Sequence, residues 1–291
     1  MKRFLETASE PTAWQRFRSW PLRRTVATVF GTGVAACVVA AYLCSVLKLL
    51  PKDPDAMDLA MVNALPDAAH LLGTDFVGRD LLSRIMVGTE AFFLPGLLSV
   101  SVSLLFGGLF GVLAGFWPER FATPVGLLLQ LMESLPKLVL ILLIIALFRP
   151  DIYLILLVVG LTNIPAAAEL LRARIAVLRR KSYIEAAIAL GLSPSRVIFK
   201  HVLWLHGRGL VLIQATIGMG EAILIETSLS YLGFGVQEPT PSWGNMVALG
   251  KDYFFRGELW ISTVPAIAIL IAVLGFHLLG DALLERLEER A

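Results

Sequence analysis

Charge is what this sequence has least of. Only 16% of its residues are Asp, Glu, Lys or Arg, against 57% hydrophobic ones, and the mean hydropathy is +0.75. Soluble domains carry about 25% charged residues. Composition therefore excludes that class and leaves a membrane protein. The formal net charge of +2 says nothing about nucleic acid, because membrane topology depends on where Lys and Arg sit rather than on their sum. Cysteine is almost absent. Cys37 and Cys44 both fall in the first apolar run, where a thiol behaves as a small hydrophobe, so no disulfide is expected. His70, His201, His206 and His277 show no metal-ligand spacing such as His-Glu-x-x-His, and no Ser or Cys nucleophile has an evident base. An enzyme is the weakest reading. A Gly-x-x-x-x-Gly-Lys-Ser/Thr phosphate loop is also missing, so any ATP-driven work must come from another chain.

Long apolar runs are what the chain has instead. A bilayer core of about 30 Å needs about 20 helical residues. Six runs qualify: 25–47, 92–117, 124–148, 152–171, 210–232 and 261–280, the fourth interrupted by Asn163 and Pro165 with Glu169 near its end. The expected fold is all-α, a polytopic membrane protein with six transmembrane helices. Lys2, Arg3, Arg16, Arg18, Arg23 and Arg24 precede the first run and place the N-terminus in the cytoplasm. Six crossings then put 172–208 on the same side, where Arg172, Arg174, Arg179, Arg180, Lys181, Arg196, Lys200 and Arg208 stand. Segment 48–91 lies outside and is richer in acids. The chain thus divides into a cytoplasmic segment 1–24, a first anchor 25–47 that follows no cleavable signal, an extracytoplasmic segment 48–91, a membrane domain 92–280 and a cytoplasmic tail 281–291. Residues 14–24, with Trp14, Phe17 and Trp20, suit a short interfacial helix.

Between two of these runs stands a polar stretch, SYIEAAIALGLSPSRVIFKHVL, from 182 to 203. Ser182 and Glu185 have capping-box spacing, Gly191 can end the helix in the left-handed region, and Ser193-Pro194 can restart one. Ile198, Val202 and Leu205 would share one face of that second helix, with Arg196 and Lys200 on another. On the residues alone two readings stay open: a plain connector, or a docking element for a partner.

Within the runs, Gly107, Gly111 and Gly115 repeat every fourth residue and invite close helix packing, in this chain or with a second one. Pro95 and Pro136 can kink their helices. Charges inside an apolar span cost about 2.5–3.5 kcal/mol each near its centre. Glu133 and Lys137, spaced i, i+4, could pair with each other or belong to a translocation path. Glu221 and Glu226 would either line a substrate path or pair with a neighbouring helix.

Three stretches carry a resemblance. Glu185-Ala186-Ala187, then Gly191, then Ile198 is similar to the EAA loop of ATP-binding-cassette importer permeases. Gly73-Thr74-Asp75 with Gly78-Arg79-Asp80 resembles a signature of the second, C-type permease subunit of dipeptide, oligopeptide and nickel importers. SLSYLGFGVQEPTPSWGNMV, 228–247, is similar to the same branch. Where the loop commonly ends in Leu-Pro, this chain has Leu203-Trp204-Leu205-His206. The resemblance implies a type I (MetI-like) permease architecture over 92–280, in a bacterial inner membrane with both termini cytoplasmic. It implies one half of a translocation path for peptides or a related solute, such as a metal chelate or a glutathione-like molecule. It further implies a docking loop at about 172–208 that grips an ATPase subunit through Glu185, Ala186, Ala187, Gly191 and Ile198. The partners implied are a homologous second permease, two ATP-binding subunits that hold the ATP and Mg, an extracytoplasmic solute-binding protein and the lipid bilayer. No cofactor in this chain and no nucleic acid is implied. The alternative from a different class is an ion-coupled secondary transporter using the intramembrane glutamates. Both signature turns, 73–80 and 239–244, are expected to act as scaffolding, the second as a stiff, aromatic loop resting at the membrane interface.

Overall fold

The computed structural model describes residues 21–134, 136–148, 151–193, 196–198 and 208–289. Eleven α-helices occur among them: α1 Pro21–Val46, α2 Leu81–Gly88, α3 Phe93–Phe116, α4 Pro118–Glu133, α5 Lys137–Phe148, α6 Ile152–Thr162, α7 Ile164–Arg179, α8 Ser182–Ala189, α9 Arg208–Tyr231, α10 Trp243–Phe254 and α11 Trp260–Glu289. By length and composition five helical stretches can cross a membrane: Arg24–Val46, Leu81–Phe116, Ile152–Arg179, Gly209–Tyr231 and Trp260–Arg286. Helices α4 and α5 make a sixth only as one span bent by 68°. The protein is an all-α, multi-pass membrane protein.

Four of these stretches differ instructively from the apolar runs. The second begins at Leu81 rather than 92, because Asp80 caps α2 by accepting from the Ser83 amide at 2.9 Å and the helical path continues through a 3-10 turn into α3. The third breaks between Glu133 and Lys137, where Pro136 has no amide to donate. The fourth reaches Arg179, as the boundary at Asn163 and the proline at 165 do not end the span. The sixth runs on to Arg286, past Gly280.

Apolar burial drives little association between helices already in lipid, so close packing of small residues takes over. The glycine stripe of α3 meets α7 of the same chain. A Cβ on Gly107, Gly111 or Gly115 would lie 2.6–2.9 Å from Ala167 Cβ, Ala168 O or Ile175 Cβ. Likewise Gly160 of α6 sits on the Ser99 backbone of α3, and Gly220 of α9 faces the His277 ring of α11. Helix α1 joins through Gly31 and Gly275, where it crosses α11. Cys37 and Cys44 are unpaired thiols.

One expectation is overturned at residues 239–244. Ser242 accepts from the Asn245 amide, and Asn245 Oδ1 accepts in return from the Ser242 amide, a reciprocal cap that starts α10. Trp243 therefore does not rest at an interface. It is 3% exposed, edge-on to Phe92 at 4.8 Å, and its indole N–H donates to Ile85 O at 2.9 Å.

Candidate functional site

The polar stretch folds as an elbow. Helix α8 ends where Gly191 takes φ +80°, and the Leu192 amide returns to Ala187 O at 3.1 Å, the closing bond of a Schellman turn. The chain then turns helical again, with the Val197 amide donating to Ser193 O at 3.1 Å. Its apolar side is clamped: Ile184 and Val197 are fully buried and Ile198 nearly so, among Phe116 of α3, Leu171, Ile175 and Leu178 of α7, and Leu210 and Ile213 of α9. Leu283 and Leu284 of α11 pack against the same cluster. Each buried aliphatic side chain contributes about 1.5–3 kcal/mol. The elbow is thereby fastened to the ends of four long helices.

Its other side is bare among the described residues. Ala186 and Gly191 are exposed, Leu190 is 81% exposed, and a Cβ on Gly191 would meet no described residue within 4 Å. Ala187 is half-buried. The backbone of Glu185 lies in α8; the expectation for its side chain falls outside what is described, as do Pro194, Lys200, Val202, Leu205 and the segment 14–20.

The intramembrane charges rearrange relative to expectation. Glu133 ends α4 and Lys137 opens α5 across the 68° bend, so the i, i+4 spacing has no continuous helix to act on. Lys137 turns instead to two other helices. Its Nζ lies 3.5 Å from Glu221 Oε2 on α9 and donates to Asn163 Oδ1 at the α6–α7 break. Both members of this pair keep exposed surface, 42% for the lysine side chain and 35% for the glutamate. Glu133 is exposed. Glu226 is fully buried, and its Oε1 accepts from Ser230 Oγ at 2.6 Å. Ser230 Oγ also accepts from the Val236 amide at 3.0 Å, so Glu226 helps hold the loop after α9 and presents no surface to a path.

On the other side of the membrane the two signature turns meet. Gly73 and Gly78 have φ near +80°, and a Cβ on Gly78 would fall 1.9 Å from Asp58 O. Asp75 Oδ1 accepts from the Val77 and Arg79 amides at 3.0 and 2.9 Å, while Arg79 Nε donates to Asp75 Oδ2 at 2.7 Å. Glu238 is the joint. It accepts from Arg79 Nη1 and Arg84 Nη2, each at 2.8 Å. Burial works against the charge on Arg79, but its hydrogen bonds to Glu238 and Asp75, with their charges, outweigh that and raise its pKa. Arg84, 1% exposed, went unread in the sequence; its only signal there was a single arginine inside the apolar stretch LLSRIMVG. His70 closes the far end, with Nδ1 3.0 Å from Asp80 Oδ1 and Nε2 2.9 Å from Lys52 Nζ. Within this knot both guanidiniums lie against carboxylates, as expected of scaffolding.

Comparison with known proteins places these parts. Residues 103–291 match the family model described as binding-protein-dependent transport system inner membrane component. A probable D,D-dipeptide transport system permease protein of Escherichia coli (strain K12) is 33% identical over 98% of this chain and 96% of its own. A di/tripeptide transport system permease protein of Pseudomonas aeruginosa (strain UCBPP-PA14) is 38% identical over 77% of this chain and 73% of its own. A glutathione transport system permease protein of Pectobacterium atrosepticum is 31% identical over 96% and 92%. A clamped elbow, a multi-pass helical body and this breadth of similarity lead to one assignment: the chain belongs to the family of binding-protein-dependent transport system inner membrane components.

Proposed function

We propose that this chain is a membrane-spanning permease subunit of an ATP-binding-cassette importer, forming half of the translocation path for peptides or a related small solute. The observation that carries this reading is the elbow: one side fastened to α3, α7, α9 and α11, the other side bare at Leu190 and Gly191. A bare, stiff projection on a fastened base is what a motor subunit needs in order to move the rods behind it. In this reading ATP binding closes two ATPase subunits, which hold the nucleotide and Mg. Their closure draws together this elbow and that of a homologous second permease, and hydrolysis resets both. An extracytoplasmic binding protein delivers the solute.

Further parts of the reading rest on the motifs. The turns at 73–80 and 228–247 support the C-type subunit and a type I, MetI-like arrangement of 92–280, and the Lys/Arg distribution supports an inner-membrane chain with both termini cytoplasmic. Glu185, Ala186, Ala187, Gly191 and Ile198 form the docking loop. Glu133, Lys137 and Glu221 line the path. Peptide-like cargo is supported by what the similar permeases are named for.

Gly191→Arg in the complete importer tests it. Open space around Gly191 limits the folding cost to the left-handed backbone, about 1–2 kcal/mol. The expected result is a subunit still assembled in the membrane whose uptake falls at least tenfold while ATP hydrolysis persists. Uptake at the normal ratio to ATP hydrolysis would exclude the docking role.

A further inference from the structure

The break between α4 and α5 is the least expected feature of the membrane body. A span that breaks at membrane depth is tolerated where it is covered by protein or borders water. Around the break lie Gln130, Glu133 and Ser134, all exposed, followed by the half-exposed Lys137. A polar face of this kind does not belong against acyl chains. Opposite it stands Glu221, near the middle of the 23-residue span Gly209–Tyr231, and Asn163 marks a second interruption, between α6 and α7. Two interrupted spans and one intact helix thus bring their polar groups to one place.

Resting on the importer reading, we propose that Lys137 and Glu221 form a substrate subsite in the path, in which Lys137 takes the carboxylate of a zwitterionic, peptide-like solute and the displaced Glu221 faces its ammonium group. The ion pair carries this. At 3.5 Å the contact is loose, both side chains stay open on one side, and among the described residues the ammonium meets only Asn163 and Glu221, leaving one N–H for a ligand. A carboxylate arriving at Lys137 would exchange one charge-assisted bond for another, so neither charge is stranded during passage. The opening of α5 adds to this: Pro136 has no side chain able to cap it, and no acid lies in its first turn.

The test uses the complete importer in proteoliposomes, with binding protein, companion permease and ATPases unaltered, and alanyl-alanine and its C-terminal amide as probes. Because the binding protein is the same throughout, a changed preference belongs to this chain. Lys137→Met is expected to cut uptake of the free dipeptide at least tenfold and that of the amide less than twofold, while Lys137→Arg keeps the original ratio. Equal losses for both probes, or no loss, would overturn the proposal. A second measurement does not depend on uptake. In a Cys37→Ala, Cys44→Ala background, Lys137→Cys should react with an anionic, water-soluble thiol reagent. Reaction should be slowed several-fold by alanyl-alanine in the Lys137→Cys, Glu221-intact complex only through the ammonium, and therefore not by N-acetyl-alanyl-alanine. Absence of reaction would overturn the subsite. If the unaltered complex takes up neither probe with ATP, the peptide-importer reading falls and this inference with it; if uptake is normal and only the preference fails to shift, the inference falls alone.

Discussion

Arg84 and Glu238, 154 positions apart in the chain, meet through a 2.8 Å bond between Nη2 and Oε1, and the arginine is 1% exposed while the glutamate is 33% exposed. Through this contact the first signature turn and the loop before α10 become one body. Removing the acid leaves two guanidiniums close together in a buried setting. Glu238→Ala should destabilise the end of the bundle that carries both turns by about 2–3 kcal/mol, less than the 3–5 typical of a fully buried pair because Glu238 is part-exposed. Thermal unfolding of the detergent-solubilised chain, with protease cleavage in 48–80 as the local readout, measures it. Unchanged cleavage would show that the joint is dispensable.

Gly78 and Gly191 share a left-handed backbone but differ in surroundings. Alanine at 78 places its Cβ 1.9 Å from Asp58 O, whereas at 191 it meets nothing within 4 Å. Gly78→Ala should therefore abolish stable accumulation of the chain. Gly191→Ala should cost only about 1–2 kcal/mol. Parallel expression and melting measurements compare the two, and equal behaviour would mean that the contact with Asp58 is easily relieved.

Gly111 lies on the seam between α3 and α7, where a Cβ would come within 2.7 Å of Ala168 O and 2.8 Å of Leu171 Cβ. Both obstacles are backbone or backbone-proximal, so neither can swing away. Gly111→Leu should separate the helices and cost at least about 2–3 kcal/mol, as overpacking does elsewhere. A lowered melting temperature with loss of the assembled complex on size-exclusion chromatography is the expected reading.

Asp67 supplies a pH dependence. Its Oδ1 accepts from the His70 amide at 2.5 Å and the Ala69 amide at 2.8 Å, and these bonds, His70 first, hold its carboxyl below the ordinary 3.8. A folded value below the unfolded one stabilises the turn fully above the unfolded pKa, and that contribution is lost as pH falls through the folded value. Protease cleavage near 63–72 should therefore rise between about pH 5 and about pH 3. In Asp67→Asn that rise should disappear.

Much of this was legible from local pattern. The apolar runs located the spans, the four-residue glycine period marked the packing face of α3 but not its partner α7, and Gly191 located the elbow turn, because each signal is local and concerns backbone shape or length. What was not legible depended on distant neighbours. The i, i+4 spacing of Glu133 and Lys137 supports a pair only on a continuous helix, and the break between them turns Lys137 to Glu221 and Asn163 instead. Likewise nothing in either signature turn announces that Glu238 bridges Arg79 and Arg84. Trp243 looked interfacial because aromatic residues near proline often are; the reciprocal cap of Ser242 and Asn245 turned it inward onto Phe92 and Ile85.

The pairing of Lys137 with Glu221 inside a single chain also bears on biogenesis. The contact spares the chain two uncompensated charges when its spans enter the bilayer, so a lone copy carries a smaller insertion penalty than its sequence alone would impose.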